Sequence, residues 1–436
     1  MKDMKIRKFR LDELNPAKYN PRKALKPGDK EFEKLKKSIQ HFGYVELIVV
    51  NVANGNTVIS GHQRLSVLKH LGETEVECVV VELSETEEKA LNIAMNKVTG
   101  DWDVPKLADL LKDLESVNYN LDFTGFEAPE ISELFSNIYD KDVKDDDFDI
   151  DKAMEEPSFT RPGDLWMLGK HRVYCGDSTL ADSYAKLLEG EKVNLVLSDL
   201  PYFVSYEGTA GKIKNDDLDD EAALDFTLKA MTCMHDVMAD DASIYIFHSD
   251  SKGLIFRKAF DAAGFYLSSC CIWKKDSLVL GRSPYQWITE SILYGWKKKG
   301  KHCWYSGRKE TNCWEFPKPK KNAAHPTAKP IPLMAYPIKN STMTNGIVLD
   351  PFLGSGATLI ACEETERVCR GIELDVKYMD VIVRRFCQHA GGNLDGVKVL
   401  RDGQILTLEE VLNSLDTPVN MEDFKDGIDG AKVKRK

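Results

Sequence analysis

Between Ile347 and Asp375 the sequence runs through an order of segments that few folds accommodate. Ile347-Val348-Leu349-Asp350 is a short apolar run with β-branched members, which reads as a strand buried in a parallel sheet. Pro351 to Gly356 is a glycine-bearing turn, and Ala357 to Cys362 begins a helix. Val368 to Asp375 is a second strand, ending in acids about 20 residues after the glycines. Glycines let the backbone approach a ligand, and the helix N-terminus behind them favours a negative group. An acid at the tip of the next strand suits the hydroxyls of a ribose. The turn is not Gly-x-Gly-x-x-Gly, so a dinucleotide is the weaker expectation.

A second apolar strand ends in chemistry of its own. Val193, Leu195, Val196 and Leu197 lead into Ser198-Asp199-Leu200-Pro201-Tyr202. A carboxylate, a rigid proline and an aromatic ring thus sit at a strand's carboxyl edge, where open α/β sheets bind ligands. Taken alone, the pentapeptide is equally compatible with an ordinary Asp/Pro turn.

Together, Asp199-Leu200-Pro201-Tyr202 and Asp350-Pro351-Phe352-Leu353-Gly354-Ser355-Gly356 resemble the catalytic and cofactor motifs of amino-group DNA methyltransferases. The catalytic motif comes first, as in the β class. His325-Pro326-Thr327-Ala328-Lys329-Pro330 is similar to the family's motif upstream of the cofactor strand, and Pro162 to Ser178 to its entry segment. The resemblance covers roughly Arg161 to Gly392, within a methyltransferase domain expected over residues 161–416, and implies a Rossmann-like sheet that uses S-adenosylmethionine, within a restriction-modification setting. It gives Asp199, Leu200, Pro201 and Tyr202 to catalysis. It gives Asp177, Thr327, Lys329, Asp350, Phe352, Gly354, Ser355, Gly356 and Glu373 to the cofactor: Glu373 on the ribose, Thr327 and Lys329 on the methionine carboxylate, Asp177 towards the adenine. A plain strand-end cap is the bland alternative for Asp177 and Asp350.

The net charge of −11 argues against a nucleic-acid partner until its distribution is considered. From Trp273 to Pro330 there are 13 Lys/Arg against 4 Asp/Glu, interleaved with Trp287, Trp296, Trp304, Tyr305, Trp314 and Phe316. Basic groups suit phosphates and flat rings suit bases. Residues 273–322 are therefore the expected target-recognition segment for double-stranded DNA, with Arg282, Lys297, Lys298, Lys299, Arg308 and Lys309 as phosphate contacts. Ten cysteines without paired-ligand spacing predict reduced thiols and no metal site. No apolar run suits a membrane span or a signal core, so a cytoplasmic protein is expected. A homodimer is left open.

Ahead of this lies a smaller α/β unit, residues 1–136 with its helical extension. Phe32, Leu35, Ile39 and Phe42 predict a helix stopped by Gly43, Val45 to Asn51 a strand, and Asn54-Gly55 a hairpin turn. Ser84-Glu85-Thr86-Glu87 reads as a capping box. The unit resembles the N-terminal domain of ParB-type partition proteins. Tyr19-Asn20-Pro21-Arg22 and Gly61-His62-Gln63-Arg64 fall where that family contacts phosphate, which makes Arg22, Gly61 and Arg64 candidates for a nucleotide or phosphate. Residues 137–160, with Asp145-Asp146-Asp147 at their centre, read as a flexible, self-repelling linker. Residues 417–436 read as a disordered tail.

The activity this implies is methylation of the N6 amine of adenine in DNA. Leu200 stands where the family usually has proline, but the expected role uses only its carbonyl. A serine in place of Asp199 would favour cytosine N4, and Ser198 makes a shifted register conceivable. The rival readings are a cytosine-N4 enzyme, a ParB-like regulator with a vestigial methylase half, and an RNA methyltransferase.

Overall fold

The computed structural model describes residues 4–97, 102–117, 119–126, 143–204, 214–279, 284–319 and 328–415, with isolated positions between and beyond them. The chain divides into two units, residues 1–140 and 141–436.

In the first unit β1 (Lys5–Arg10), β2 (Asn15–Pro16), β3 (Ile48–Asn51), β4 (Thr57–Ser60) and β5 (Glu75–Val81) form one sheet in the order β1-β5-β3-β4-β2. α1 (Lys30–Phe42) ends on Gly43 as its spacing predicts. The following strand starts at Ile48 and not Val45, because Val45 is exposed while Ile48 to Val50 are buried in the sheet. α2 (His62–Leu71) starts from Gly61 at φ +95°, a left-handed conformation that glycine adopts without strain. Both reciprocal bonds of the Ser84–Glu87 capping box open α3 (Glu85–Asn96). α4 (Val104–Ser116) follows, with Asp103 as its cap.

The second unit begins with α5 (Ile150–Glu155), β6 (Leu165–Leu168), β7 (His171–Cys175), α6 (Ala181–Leu188) and β8 (Val193–Asp199). A short ribbon of β9 (Glu207–Gly208) and β10 (Gly211–Lys212) precedes α7 (Asp220–Val237) and β11 (Met238–His248). Then come α8 (Gly253–Ala262), β12 (Phe265–Val279), β13 (Trp287–Lys297), β14 (Cys313–Glu315) and α9 (Ile331–Ser341). The chain closes with β15 (Ile347–Asp350), α10 (Ala357–Glu364), β16 (Val368–Glu373), α11 (Val376–His389), β17 (Val397–Arg401), β18 (Gln404–Thr407) and α12 (Leu408–Asn413).

Eleven of these strands form one sheet, ordered β14-β12-β13-β11-β8-β15-β16-β7-β6-β17-β18. β11, β8, β15, β16 and β7 run parallel at its centre. From β8 the chain continues outward to β11, whereas from β15 it continues to β16 on the opposite side. β8 and β15 therefore flank the switch point, and such sheets open a ligand crevice at the carboxyl ends of these strands. Two apolar cores fill the faces, one around Trp166, Leu197, Phe247 and Ile382, the other around Val196, Leu200, Ile244 and Phe256.

The acidic stretch behaves differently from its sequence reading. Asp146 forms a buried ion pair with Arg385 on α11 (Nε–Oδ2 2.7 Å), and Asp145 Oδ1 accepts the Ile331 N–H at the start of α9 (2.9 Å). Phe148, Ile150 and Ala153 pack on Val381, and Asp380 accepts the backbone N–H groups of Phe159 and Thr160. Residues 143–156 thus belong to the second unit and are no free linker. Charge run alone predicts self-repulsion, but Arg385 and a helix N-terminus supply the compensating partners.

Candidate active site

β8 delivers the acidic tetrapeptide to the switch point by simple alternation. Ser198 points to one face, where its Oγ donates to Asp350 Oδ1 (2.8 Å), so Asp199 must emerge on the other. The next side chain, Leu200, is 1% exposed and packs in the second core, which accounts for leucine in a motif that usually carries proline. Phe203 then takes φ +56°, its N–H held by Asp216 Oδ1 (2.7 Å), and turns the chain away. Ser249 Oγ donates to the Tyr202 carbonyl (3.1 Å), which fixes the tetrapeptide from β11's end.

Five charged or hydroxylic groups converge there. Lys329 Nζ lies 2.6 Å from Asp199 Oδ2, 3.2 Å from Glu290 Oε2 and 3.3 Å from the Tyr202 hydroxyl. Tyr202 donates to Glu290 Oε2 (2.9 Å), and Lys275 pairs with Glu290 Oε1 (2.5 Å). Asp199 Oδ1 is buried and accepts no hydrogen bond from the described residues. Burial pushes the Asp199 carboxyl up, while the Lys329 charge pulls it back. Glu290 is held down at about 2, its two lysine partners overcoming the cost of burial. Neither Glu290 nor Lys275 stands out in the sequence. Their signal is strand alternation, which puts Glu290 on the face of β13 that looks onto β8's end.

The resemblance places Lys329 on the methionine carboxylate; in the fold its ammonium is buried against Asp199 and Glu290. A buried cation needs such partners, and Pro330, the cap of α9, leaves Lys329 at the strand edge to meet them.

Beside this cluster lies the glycine turn. Gly354 has φ +54° and a Cβ there would meet nothing within 4 Å, so the turn is open on that side. Gly356 has φ +86° and caps α10 closely against Ile382. Glu373, at the tip of β16, accepts the N–H of Gly354 through Oε2 (2.8 Å) and that of Asp375 through Oε1 (2.8 Å). Each oxygen keeps a further lone pair for a ligand hydroxyl. Burial raises its pKa to about 7. Asp177 is next to it, since the Gly176 N–H donates to the Glu373 carbonyl (3.0 Å), and its Oδ1 accepts from Thr179 N and Oγ1 in an Asx turn. Phe352 is half-buried against Phe226. These groups suit an adenosyl ligand: an open glycine turn, a ribose-height carboxylate and an aromatic face.

Asp350 lies beneath the turn. It is 2% exposed and accepts from Ser198, Thr358 Oγ1 (2.6 Å) and the Phe352 N–H (3.2 Å), so it ties β8, the turn and α10 together. Burial brings its pKa to about 6. The Ser355 carbonyl and hydroxyl accept from Arg385.

Of the basic residues named from the sequence, Lys297 and Lys298 lie away from this edge. In the sheet register Ile292 of β13 lies level with Phe247 and, through it, Asp199, with β13 running away from the site. Lys297 is five residues further on, roughly 17 Å along the strand. Its ammonium bonds the Met238 carbonyl (2.7 Å), and Lys298 pairs with Asp261 (2.8 Å). Lys299, Arg308 and Lys309 are exposed. Arg282 and Thr327 lie outside the described residues. In the first unit Arg64 pairs with Glu46 and folds over Gly61, and Arg22 Nη2 donates to the Asn96 carbonyl (3.1 Å). Burial first, and then the Arg64 charge, lower the Arg22 pKa.

Comparison with known proteins fits this geometry. Residues 193–384 match the DNA methylase family, residues 1–97 the ParB N-terminal domain, and residues 105–162 the ParB-methyltransferase HTH domain. The chain is 29% identical over 234 residues to the type II methyltransferase M2.LlaDCHI of Lactococcus lactis subsp. cremoris, covering 47% of this chain and 87% of that protein. It is 37% identical over 158 residues to the type II methyltransferase M.ScaI of Streptomyces caespitosus, covering 29% and 52%. Against the DNA adenine methyltransferase YhdJ of Escherichia coli (strain K12) it is 25% identical over 235 residues, covering 46% and 78%.

Proposed function

We propose that this chain, a DNA methylase domain carried behind a ParB N-terminal domain, methylates the N6 amine of adenine in double-stranded DNA with S-adenosylmethionine as donor. The observation that carries this reading is Asp199 Oδ1, a buried acceptor at the switch point with no donor among the described residues. Leaving such an acceptor unsatisfied costs roughly 1–3 kcal/mol, which an entering N–H would recover.

An exocyclic amine is a poor nucleophile because its lone pair is delocalised into the ring. Asp199 Oδ1 would accept one of its hydrogens and the Leu200 carbonyl the other, drawing the nitrogen towards tetrahedral geometry and localising the pair. Pro201 limits the backbone freedom of that carbonyl. The Tyr202 ring, its hydroxyl fixed by Glu290, offers a stacking face worth roughly 1–3 kcal/mol. That offsets part of the few kcal/mol needed to extrude the base. S-adenosylmethionine, when bound, supplies a methyl group already on a leaving group. Glu373 would hold the ribose hydroxyls, Gly354 to Gly356 would admit the methionine half, and Asp177 and Phe352 would bound the adenine. Most of the acceleration would then come from positioning.

The choice of adenine over cytosine N4 is supported by register. Ser198 is bonded to Asp350 and turned from the opening, so the acceptor facing the base is an aspartate. The relative YhdJ bears the name of an adenine methyltransferase. In the first unit, Arg22 and Arg64 around Gly61 would serve as phosphate contacts, to DNA or to a nucleotide.

The test is to incubate the full chain with plasmid DNA and methyl-labelled S-adenosylmethionine, then separate the nucleosides. N6-methyldeoxyadenosine supports the reading. Label in N4-methyldeoxycytidine would transfer it to cytosine, and label in transfer RNA alone would remove DNA as substrate. Asp199→Ala should abolish incorporation while cofactor affinity stays within a few-fold.

A further inference from the structure

The turn that would admit the methionine half of the donor is held from two sides. Glu373 accepts the Gly354 N–H on one side, and on the other the Arg385 guanidinium donates to the Ser355 carbonyl (3.0 Å). Arg385 is itself only 5% exposed. Its charge is balanced by Asp146, whose two oxygens accept from Nε and Nη2 (2.7 and 2.9 Å). A guanidinium is planar and presents its donors in a fixed fork. The Asp146 carboxylate, the Arg385 plane and the Ser355 carbonyl are thus linked in one stiff chain, and displacing the first swings the last.

The residue before Asp146 goes to the other motif. Asp145 Oδ1 accepts the N–H of Ile331 (2.9 Å), the first residue of α9 and two positions after Lys329. Lys329 is the cation that meets Asp199. Adjacent Cα atoms are only about 3.8 Å apart, so two neighbouring carboxylates tie the acceptor side to the donor side at short range. Phe148, Ile150 and Ala153 anchor this stretch on Val381 of α11, with Ala328 packed against them. Lys377 Nζ adds bonds to the Met154 and Glu156 carbonyls (both 3.0 Å). Those anchors alone would hold a tether. A carboxylate at a helix start and a bidentate pair on a buried arginine add direction, which apolar packing lacks.

We propose that Asp145 and Asp146 are positioning residues that set the methyl-donor turn against the acceptor pocket. Asp146 acts through Arg385 and Ser355, and Asp145 through the start of α9 and Lys329. This rests on the proposed methyl transfer, whose two partners must meet within a narrow range of distance. A misplacement of about 1 Å, caused far from the chemistry, can cost about a hundredfold in rate. Both aspartates follow closely on the boundary at Asp140, so the chain that leaves the first unit is the chain that shapes the site.

The experiment uses the full chain. It reads S-adenosylmethionine affinity by calorimetry, kcat on plasmid DNA at saturating cofactor, and the melting temperature. Asp146→Asn keeps the shape and removes the charge, and it should weaken S-adenosylmethionine binding about tenfold as Arg385 loses its register with Ser355. Asp145→Ala removes the bond to Ile331 and should lower kcat about ten- to a hundredfold, with cofactor affinity within threefold of wild type. Asp145→Asn keeps an acceptor at that helix start and should return kcat to within threefold of wild type. Asp145 is exposed, so its variants decide the question even where Asp146→Asn does not fold. Variants that melt lower yet keep wild-type affinity and kcat well below their melting temperatures overturn the proposal and leave the segment a structural clamp. A kcat that Asp145→Asn does not rescue overturns the part given to the Ile331 bond. If wild type binds S-adenosylmethionine but methylates no DNA, the proposed function fails, while the affinity of Asp146→Asn still reads the donor turn.

Discussion

Lys329 Nζ sits 2.6 Å from Asp199 Oδ2, and its charge opposes the upward push that burial exerts on the Asp199 carboxyl. Without the cation, Asp199 and Glu290 would be two neighbouring buried carboxylates with Lys275 as their remaining partner. Removing one member of such a cluster costs roughly 3–5 kcal/mol, chiefly by stranding the rest. Lys329→Met should therefore lower stability and raise the Asp199 pKa. An acceptor that takes up a proton stops accepting, so the acid limb of the pH–rate profile should move to higher pH. A profile unchanged in position would mean that Asp199 need not be ionised.

Glu373 offers a second pH signal. Its pKa in the fold is about 7, against an ordinary 4.5, because it is buried. Since the folded value is the higher one, its contribution to stability is fully present below about pH 4.5 and lost as pH rises through about 7. Ligand hydroxyls favour the ionised acceptor. S-adenosylmethionine affinity should fall as pH drops below about 7, approaching tenfold per pH unit, and Glu373→Gln should abolish that dependence along with much of the affinity. Calorimetry between pH 5.5 and 8.5 would read both, and a flat wild-type curve would move the ribose contact elsewhere.

The sheet and its two motifs were legible because their signals are local. An apolar run followed by Asp350 and Gly354 specifies strand, turn and helix within a few residues, and the Ser84 box specifies a helix start. What escaped the sequence is what depends on pairing. Glu290 enters the site only because β13 runs antiparallel to β11 and alternates against β8's tip. The acidic stretch at Asp145 and Asp146 is stapled down by Arg385 and the start of α9, residues nearly 200 or more positions away in sequence. Lys329 could be placed near the cofactor turn by resemblance, but which acid it meets is a matter of three dimensions.

The same reversal decides the lysine triplet. Trp287 and Lys297 are both five residues from Ile292, one towards the opening and the other away from it. Lys297 and Lys298 already bond Met238, Asp240 and Asp261. Replacing Lys297, Lys298 and Lys299 by Gln should therefore change the salt dependence of DNA binding by less than about one phosphate contact, a log–log slope change under roughly 0.9. Measuring affinity from 50 to 300 mM salt checks this. A change of two or more would return the triplet to the DNA face.

The boundary between the units can be tested by where a shortened chain begins. Starting near Ser158 deletes Asp145 and Asp146 together with Phe148 and Ile150, which are 7% and 1% exposed. Arg385 then loses the carboxylate that balances its buried charge, though it keeps the Ser355 carbonyl. Stranding that charge and exposing two apolar side chains should cost several kcal/mol, each side chain being worth roughly 1.5–3. A fragment starting near Lys141 keeps all of these contacts and should melt several degrees higher than the one starting at Ser158. It should bind S-adenosylmethionine and methylate the same sites as the full chain. Its DNA affinity should be lower, because the phosphate contacts proposed for the first unit would act through tethering and are absent. Equal melting temperatures for the two fragments would restore residues 143–156 to a linker. Equal DNA affinity for the Lys141 fragment and the full chain would leave the first unit without a share in holding DNA.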